Sequence, residues 1–239
     1  MKAVILAGGV GTRLRPLTYV MPKCLLPVGG VPLLEWTVRY LKSYGVSEFV
    51  VCVAYLKRQV METIGDGSRL GTTIQYAEAD SPLGTGGQLK TAERFIDGTF
   101  IAMNGDIVTS LDIQKLVARH WESKRIATIA LKRFEVKVPY GHILTTPEMD
   151  IASFVEKPTL ELMANAGVYV FDSKLFDSIP SGRTCSLESE VFPSLIAQGE
   201  KPAAYYEDAY WNDVGTLSDF ERVNDEFLKQ PVSVARNTP

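Results

Sequence analysis

Residues 2–27 read KAVILAGGVGTRLRPLTYVMPKCLLP, and the rest of the chain is arranged around them. Ala3-Val4-Ile5-Leu6 is an apolar run with β-branched members, which predicts a buried strand. Glycines follow at Gly8, Gly9 and Gly11; lacking Cβ, they accept positive φ and let backbone N–H groups approach a ligand. Arg13 stands just past them, and Lys23 lies between Pro22 and Cys24. A strand, a glycine turn and two fixed cations describe a phosphate cradle; an ordinary βα turn with surface cations is the competing reading. Two known glycine motifs fail. A P-loop needs Lys-Ser/Thr after its last glycine, where this chain has Thr12-Arg13, and the dinucleotide fingerprint G-x-G-x-x-G is absent.

Composition narrows the field. A length of 239 residues allows one large α/β domain or two small ones, and 46% hydrophobic residues supply a sizeable core. A formal net charge of -3 with no basic stripe argues against nucleic-acid binding. Cys24, Cys52 and Cys185 are widely spaced and odd in number, which fits small core residues in a reducing cytoplasm rather than a disulfide framework or a zinc site. No apolar run approaches the roughly 18 residues of a membrane helix. The chain opens directly on a strand, so no secretory leader is expected.

Along the chain, apolar spacing predicts a helix over 32–44 stopped by Gly45, a strand over 48–53, a short helix over 57–64 broken by Gly65-Asp66-Gly67, and a strand over 72–77. The glycine cluster Pro82-Leu83-Gly84-Thr85-Gly86-Gly87 precedes a helical run over 88–95 and suits either a flexible loop or a close approach to a flat ligand. A strand over 100–103 ends at Asn104-Gly105-Asp106. A helix over 111–123 follows, with His120 expected on its surface or in a groove, and then a strand over 126–131. Beyond Lys132 the pattern changes to short strands at 142–145, 151–155 and 167–171. A helix over 186–197 with Ser186 and Ser189 as capping signals, a strand over 203–206 and a helix from Thr216 to Leu228 complete the chain; the tail 231–239 is expected to be mobile. Alternating strands and helices predict a mostly parallel sheet with helices on both faces, whose ligands bind beyond the carboxyl ends of the strands. Strand ends converging there would bring Asp106 and Asp213 together, and two such carboxylates repel unless a cation sits between them or one stays protonated; Mg²⁺ would resolve the conflict.

These motifs, in order from residue 2 to 228, resemble the sugar-1-phosphate nucleotidyltransferases: Gly9-Val10-Gly11-Thr12-Arg13, Pro22-Lys23, Leu83-Gly84-Thr85-Gly86-Gly87, Gly105-Asp106, Tyr140-Gly141, Glu156-Lys157-Pro158, Asn165-Ala166-Gly167 and Trp211-Asn212-Asp213-Val214-Gly215. The resemblance implies an α/β single-domain nucleotide-diphospho-sugar transferase fold. It has a Rossmann-like mixed, mostly parallel sheet flanked by helices, with one reversed strand. The domain spans 1–230, with a nucleotide-binding half at about 1–131 and a sugar-binding half at about 132–230. Longer members carry a further β-helix or enzyme domain, which this chain is expected to lack.

The implied reaction joins an NTP and a sugar 1-phosphate into an NDP-sugar and pyrophosphate, with Mg²⁺ as cofactor. The implied catalytic set is Arg13, Lys23, Asp106 and Asp213, the last two as metal ligands. The nucleotide would be held by Leu6, Ala7, Gly8, Gly9, Gly11, Thr12, Arg13, Lys23, Glu78, Pro82, Gly84, Thr85, Gly105 and Asp106. The sugar phosphate would be held by Gly141, Glu156, Lys157, Asn165 and Gly167. Glu188 is assigned to capping or solvation, with a sugar contact as the alternative. Pro82-Leu83-Gly84-Thr85 and Glu188-x-Glu190-Val191-Phe192-Pro193 look most like the mannose-1-phosphate guanylyltransferases, which use GTP. Thr85-Gly86-Gly87 also resembles uridylyltransferases of N-acetylmuramate 1-phosphate and guanylyltransferases of heptose 1-phosphate; thymidylyltransferases rank lower. Base, sugar and homo-oligomeric state stay open. The competing classes are a catalytically silent nucleotide-sugar sensor and a nicotinamide oxidoreductase, the second disfavoured by the failed fingerprint.

Overall fold

The structure is a computed structural model and describes residues 1–229; the expectation for 231–239 lies outside the described residues. In chain order the elements are β1 (Ala3–Leu6), β2 (Pro27–Val28), β3 (Val31–Pro32), α1 (Leu33–Ser43), β4 (Glu48–Val53), α2 (Lys57–Ile64), β5 (Thr73–Glu78), α3 (Gly84–Thr91), β6 (Phe100–Asn104), β7 (Ile107–Thr109) and α4 (Ile113–Ser123). The second half adds β8 (Ala127–Lys137), β9 (His142–Thr145), β10 (Ile151–Val155), β11 (Thr159–Phe171), α5 (Phe192–Ala197), β12 (Ala203–Tyr206), β13 (Trp211–Asp213) and α6 (Leu217–Lys229).

Seven strands form one sheet in the order β12-β8-β11-β6-β1-β4-β5. Every neighbouring pair is parallel except those of β11, which runs antiparallel to both β6 and β8. The period of two along each strand divides the core in two. Ala3 and Ile5 of β1 face one cluster with Leu34, Val38 and Leu41 of α1, Val60 of α2, Leu116 of α4 and Phe227 of α6. Val4 and Leu6 face the other, with Leu89 of α3, Phe176, and Phe192 and Leu195 of α5. Each fully buried Leu, Ile or Phe contributes about 1.5–3 kcal/mol, so the sheet is clamped from both sides. Helix starts and stops follow local chemistry. Asp112 accepts from the Gln114 and Lys115 N–H groups (3.0 and 3.2 Å) to begin α4, and Thr216 accepts from the Asp219 N–H (3.2 Å) to begin α6. Among the described residues no helix is long and apolar enough to cross a membrane.

Four expectations need correction. The helix expected at 88–95 begins at Gly84, inside the glycine cluster, because the Gly86 and Gly87 N–H groups are satisfied by the Cys185 carbonyl (2.9 and 3.1 Å). The strands expected at 126–131 and 167–171 are much longer. Residues 131–137 and 159–165 pair with each other past the sheet, so Asn165-Ala166-Gly167 sits at an irregularity inside β11 rather than at its start. The 186–197 helix divides into a π-helical turn over Leu187–Val191 and α5, with Ser186 as cap. His120 is buried, not on the surface; its Nδ1 meets Thr128 Oγ1 at 3.0 Å, and burial lowers its pKa.

Candidate active site

At the carboxyl edge of the parallel strands, the loop after β1 and the turn after β6 enclose a cleft. Of the expected nucleotide contacts, Leu6, Ala7, Gly9, Lys23, Thr85, Gly105 and Asp106 line it, and Cys24, Gln88 and Asn104 complete the wall. Gly11 adopts φ 66°, and a Cβ there would come 3.0 Å from Thr18 Cγ2 and 3.1 Å from Lys23 Cβ. The close turn therefore requires glycine, and it delivers Thr12–Leu14 as a 3-10 turn with Arg13 at its centre. Pro22 ends the following excursion, and Lys23–Leu25 is a second 3-10 turn.

Lys23 bridges the carboxylates. Its Nζ donates to Asp106 Oδ2 and lies 3.5 Å from Asp213 Oδ1. Asp213 arrives by a route the strand-end argument did not contain. It ends β13, which pairs antiparallel with β7, so Asp213 stands opposite Ile107, the residue after Asp106. The Val214 N–H then donates to the Asp106 carbonyl (3.0 Å). A Cβ on Gly215 would fall 2.9 Å from Asp213 Oδ2 and 3.1 Å from Arg13 Nη2, which places the guanidinium beside this carboxylate. Burial and the neighbouring Asp106 raise the Asp213 pKa, against the opposing pull of Lys23 and Arg13.

Asp106 Oδ1 and Asp213 Oδ1 are both buried without a hydrogen-bond partner among the described residues. One unpartnered carboxylate oxygen beside another that is met only by an ammonium at 3.5 Å fits a divalent cation such as Mg²⁺, which binds through one or two carboxylates and leaves its other positions to phosphate and water. No group of three or more His, Cys, Asp or Glu among the described residues is arranged to hold a metal without such help.

The remaining residues divide. Gly84, at φ 70°, packs against the 183–185 segment; a Cβ there would strike the Cys185 carbonyl oxygen at 2.5 Å, and one on Gly87 would meet Leu83 Cβ at 2.7 Å. These glycines serve packing on Cys185 first. Gly8 N–H donates to Gln88 Oε1 (2.8 Å). Gln88 was missed in the sequence reading; its signal was a polar residue directly after glycines in an otherwise apolar helix face. Glu188 accepts from Thr85 Oγ1 (2.6 Å), Ser186 Oγ (2.9 Å) and the Tyr169 hydroxyl (3.3 Å), and Tyr169 accepts from Asn165 Nδ2 (2.8 Å). Glu188 thus ties Thr85 to Asn165, whose Oδ1 accepts from the Gly167 N–H (2.9 Å). Glu78 instead pairs with Lys57 (3.3 Å), and Pro82 is exposed; neither lines the cleft. Gly141, Glu156 and Lys157 lie on the β8–β11 arm, where a Cβ on Gly141 would fall 2.7 Å from Phe154 Cζ and 3.1 Å from Glu156 Oε2. They are grouped with one another and do not line the cleft.

Comparison with known proteins gives the family. Residues 2–230 match the family model for nucleotidyl transferases. The mannose-1-phosphate guanylyltransferase of Mycobacterium tuberculosis is 36% identical over 233 residues, covering 95% of this chain and 64% of its own length. The UTP–glucose-1-phosphate uridylyltransferase of Synechocystis is 34% identical over 238 residues, covering 92% of this chain and 61% of its own. The chain therefore spans less than two thirds of these curated relatives. The crystal structure of HddC from Yersinia pseudotuberculosis complexed with GMP-PN matches with a TM-score of 0.74 at 26% identity, covering 95% of this chain and 99% of that one. On the family match and these identities over nearly its whole length, the chain belongs to the sugar-1-phosphate nucleotidyltransferase family.

Proposed function

We propose that the protein transfers a nucleotidyl group from an NTP to a sugar 1-phosphate. One observation carries the reading: Lys23 spans Asp106 and Asp213 beside the cleft, with Asp106 Oδ1 buried and without a hydrogen-bond partner among the described residues. A phosphate oxygen of the sugar 1-phosphate attacks the α-phosphorus in line, the bond to the bridging oxygen breaks, and pyrophosphate leaves with that electron pair. No protein nucleophile is needed. The thiol in the cleft wall, Cys24, is pushed up to about 12 by burial and stays protonated. The protein's work is to hold two polyanions together and neutralise developing charge.

Arg13 receives the departing pyrophosphate, Lys23 faces the α-phosphate, and Lys157 orients the attacking phosphate. Asp106 and Asp213 would hold Mg²⁺, which supplies positive charge at the phosphoryl oxygens. Asn165 and Gly167, anchored through Tyr169 and Glu188, belong to the sugar side. GTP and mannose 1-phosphate are the first pair to test, with uridylyl or thymidylyl transfer to another hexose, amino-sugar or heptose 1-phosphate as alternatives; a cytoplasmic location goes with this reading. The experiment is a pyrophosphate-release panel of four NTPs against several sugar 1-phosphates. Release with one pair well above the rest confirms transfer and names the substrates. Binding of a nucleotide sugar without release from any pair replaces the enzyme by a sensor.

A further inference from the structure

The cation between the two carboxylates is the chain's own ammonium. Lys23 projects from its 3-10 turn with a side chain 13% exposed and reaches both Asp106 and Asp213. The carboxylates cannot separate to relieve their repulsion. Asp106 is pinned by the Gly105 N–H to the Leu6 carbonyl (3.0 Å) and by its own carbonyl to the Val214 N–H (3.0 Å). Asp213 is fixed by the β7–β13 pairing. Lys23 is the partner able to move, since its charge rides on a flexible four-carbon stem. It also leaves the pair incompletely used: among the described residues Asp106 Oδ1 is buried and accepts no hydrogen bond, and Asp213 Oδ1 meets the ammonium only at 3.5 Å.

We propose that Lys23 is the resident counter-ion of the metal site, and that an incoming divalent cation displaces its ammonium from Asp106 and Asp213 toward the anionic substrate. The inference rests on the reading of these aspartates as metal ligands. It gives Lys23 two successive partners and couples them: the cation takes the carboxylates only as the ammonium leaves, and the triphosphate offers the ammonium a new counter-charge. Metal and nucleotide then bind cooperatively, and the nucleotide-free protein binds metal weakly because Lys23 competes for the same oxygens. Arg13 is placed differently: its guanidinium and Asp213 Oδ2 both lie against Gly215, and it acts on that carboxylate by charge.

The test uses no turnover. Mn²⁺ is titrated into the nucleotide-free full chain, and free Mn²⁺ is followed by electron paramagnetic resonance. Removing the ammonium from between the carboxylates in Lys23→Met is expected to tighten Mn²⁺ binding by about tenfold or more. In EDTA the same variant is expected to melt below wild type, and Mn²⁺ is expected to restore it. Mn²⁺ affinity equal to or weaker than that of wild type overturns the proposal. If Lys23→Met folds only when Mn²⁺ is present, that dependence supports it; if it fails to fold even then, Lys23→Gln is titrated and judged by the same criterion. Adding Asp213→Asn to the lysine variant is expected to abolish the gain, and a gain that survives places the metal elsewhere and overturns the proposal. Absence of Mn²⁺ binding by wild type even with nucleotide overturns the metal assignment itself, while pyrophosphate release by wild type tests the transferase reading independently.

Discussion

The carboxyl edge of β1 and β6 and the arm formed by β8–β11 are two parts of one proposed site, built in opposite ways. At the edge, the loop after β1 and the turn that carries Asp106 are fixed by hydrogen bonds. Gly105 is tied to Leu6, Val214 to Asp106, and Gly8 to Gln88. On the arm, residues 132–164 pair only with each other, and large apolar residues are exposed, including Ile151 (66% exposed) and Phe154 (59%). The Glu156-Lys157-Pro158 turn is held within the arm, where the Val138 N–H donates to the Pro158 carbonyl (3.0 Å), and shares none of the hydrogen bonds that fix the edge. On the proposed reading, the contrast separates charge neutralisation at the hydrogen-bonded edge from recognition of the sugar 1-phosphate, which falls to the more exposed region. Preorganised charge is where transition-state stabilisation is largest, because no reorganisation is needed during reaction.

The largest effects should come from the fixed edge. Asp106→Asn, Asp213→Asn and Lys23→Ala are each expected to cut turnover by about 10²–10³, with the fold retained in the Mg²⁺-containing assay. Turnover measured against Mg²⁺ concentration at saturating substrates checks this. An Asn variant with wild-type metal dependence removes that aspartate from the site, and Lys23→Ala within a few-fold of wild type removes Lys23 from the transition state.

Next is packing of the glycine cluster. Gly84→Ala must hold a side chain at φ 70° and 2.5 Å from the Cys185 carbonyl oxygen. It is expected to cost about 2–4 kcal/mol in denaturant unfolding. Gly9 has no heavy atom within 4 Å of a built Cβ, and Gly9→Ala should change stability by less than about 0.5 kcal/mol while raising the KM for NTP. Equal destabilisation by both would mean that the two glycine loops do the same job.

Gln88→Leu leaves the buried Gly8 N–H without its acceptor and is expected to cost about 1–3 kcal/mol, read by the same unfolding experiment. A variant as stable as wild type would show that the loop after β1 does not depend on α3.

The smallest effect on stability belongs to the arm. Lys157→Ala lies on an exposed turn and should alter unfolding by less than about 0.5 kcal/mol, yet raise the KM for sugar 1-phosphate far more than that for NTP. The reverse pattern of KM changes would put Lys157 on the triphosphate and dissolve the division between edge and arm.

The sequence alone determined the local elements. Glu48–Val53 and Ala3–Leu6 were legible because unbroken apolar runs with β-branched residues have few alternatives, and the helix of 33–43 because its spacing and Gly45 agree. The glycine loop with its two cations was legible for a similar reason: Gly8, Gly9, Gly11, Arg13 and Lys23 lie within one short stretch, where chain geometry limits where each can go. Tertiary structure decided the rest. That Asp213 meets Asp106 follows from the β7–β13 pairing, a long-range antiparallel contact with no local signal beyond two three-residue segments. That Gly84 and Gly87 are needed follows from Cys185 crossing beneath them, about a hundred residues later in the chain. The lengths of β8 and β11 were hidden because each extends by pairing with the other, and a strand's end is set by where its partner stops supplying hydrogen bonds rather than by its own residues.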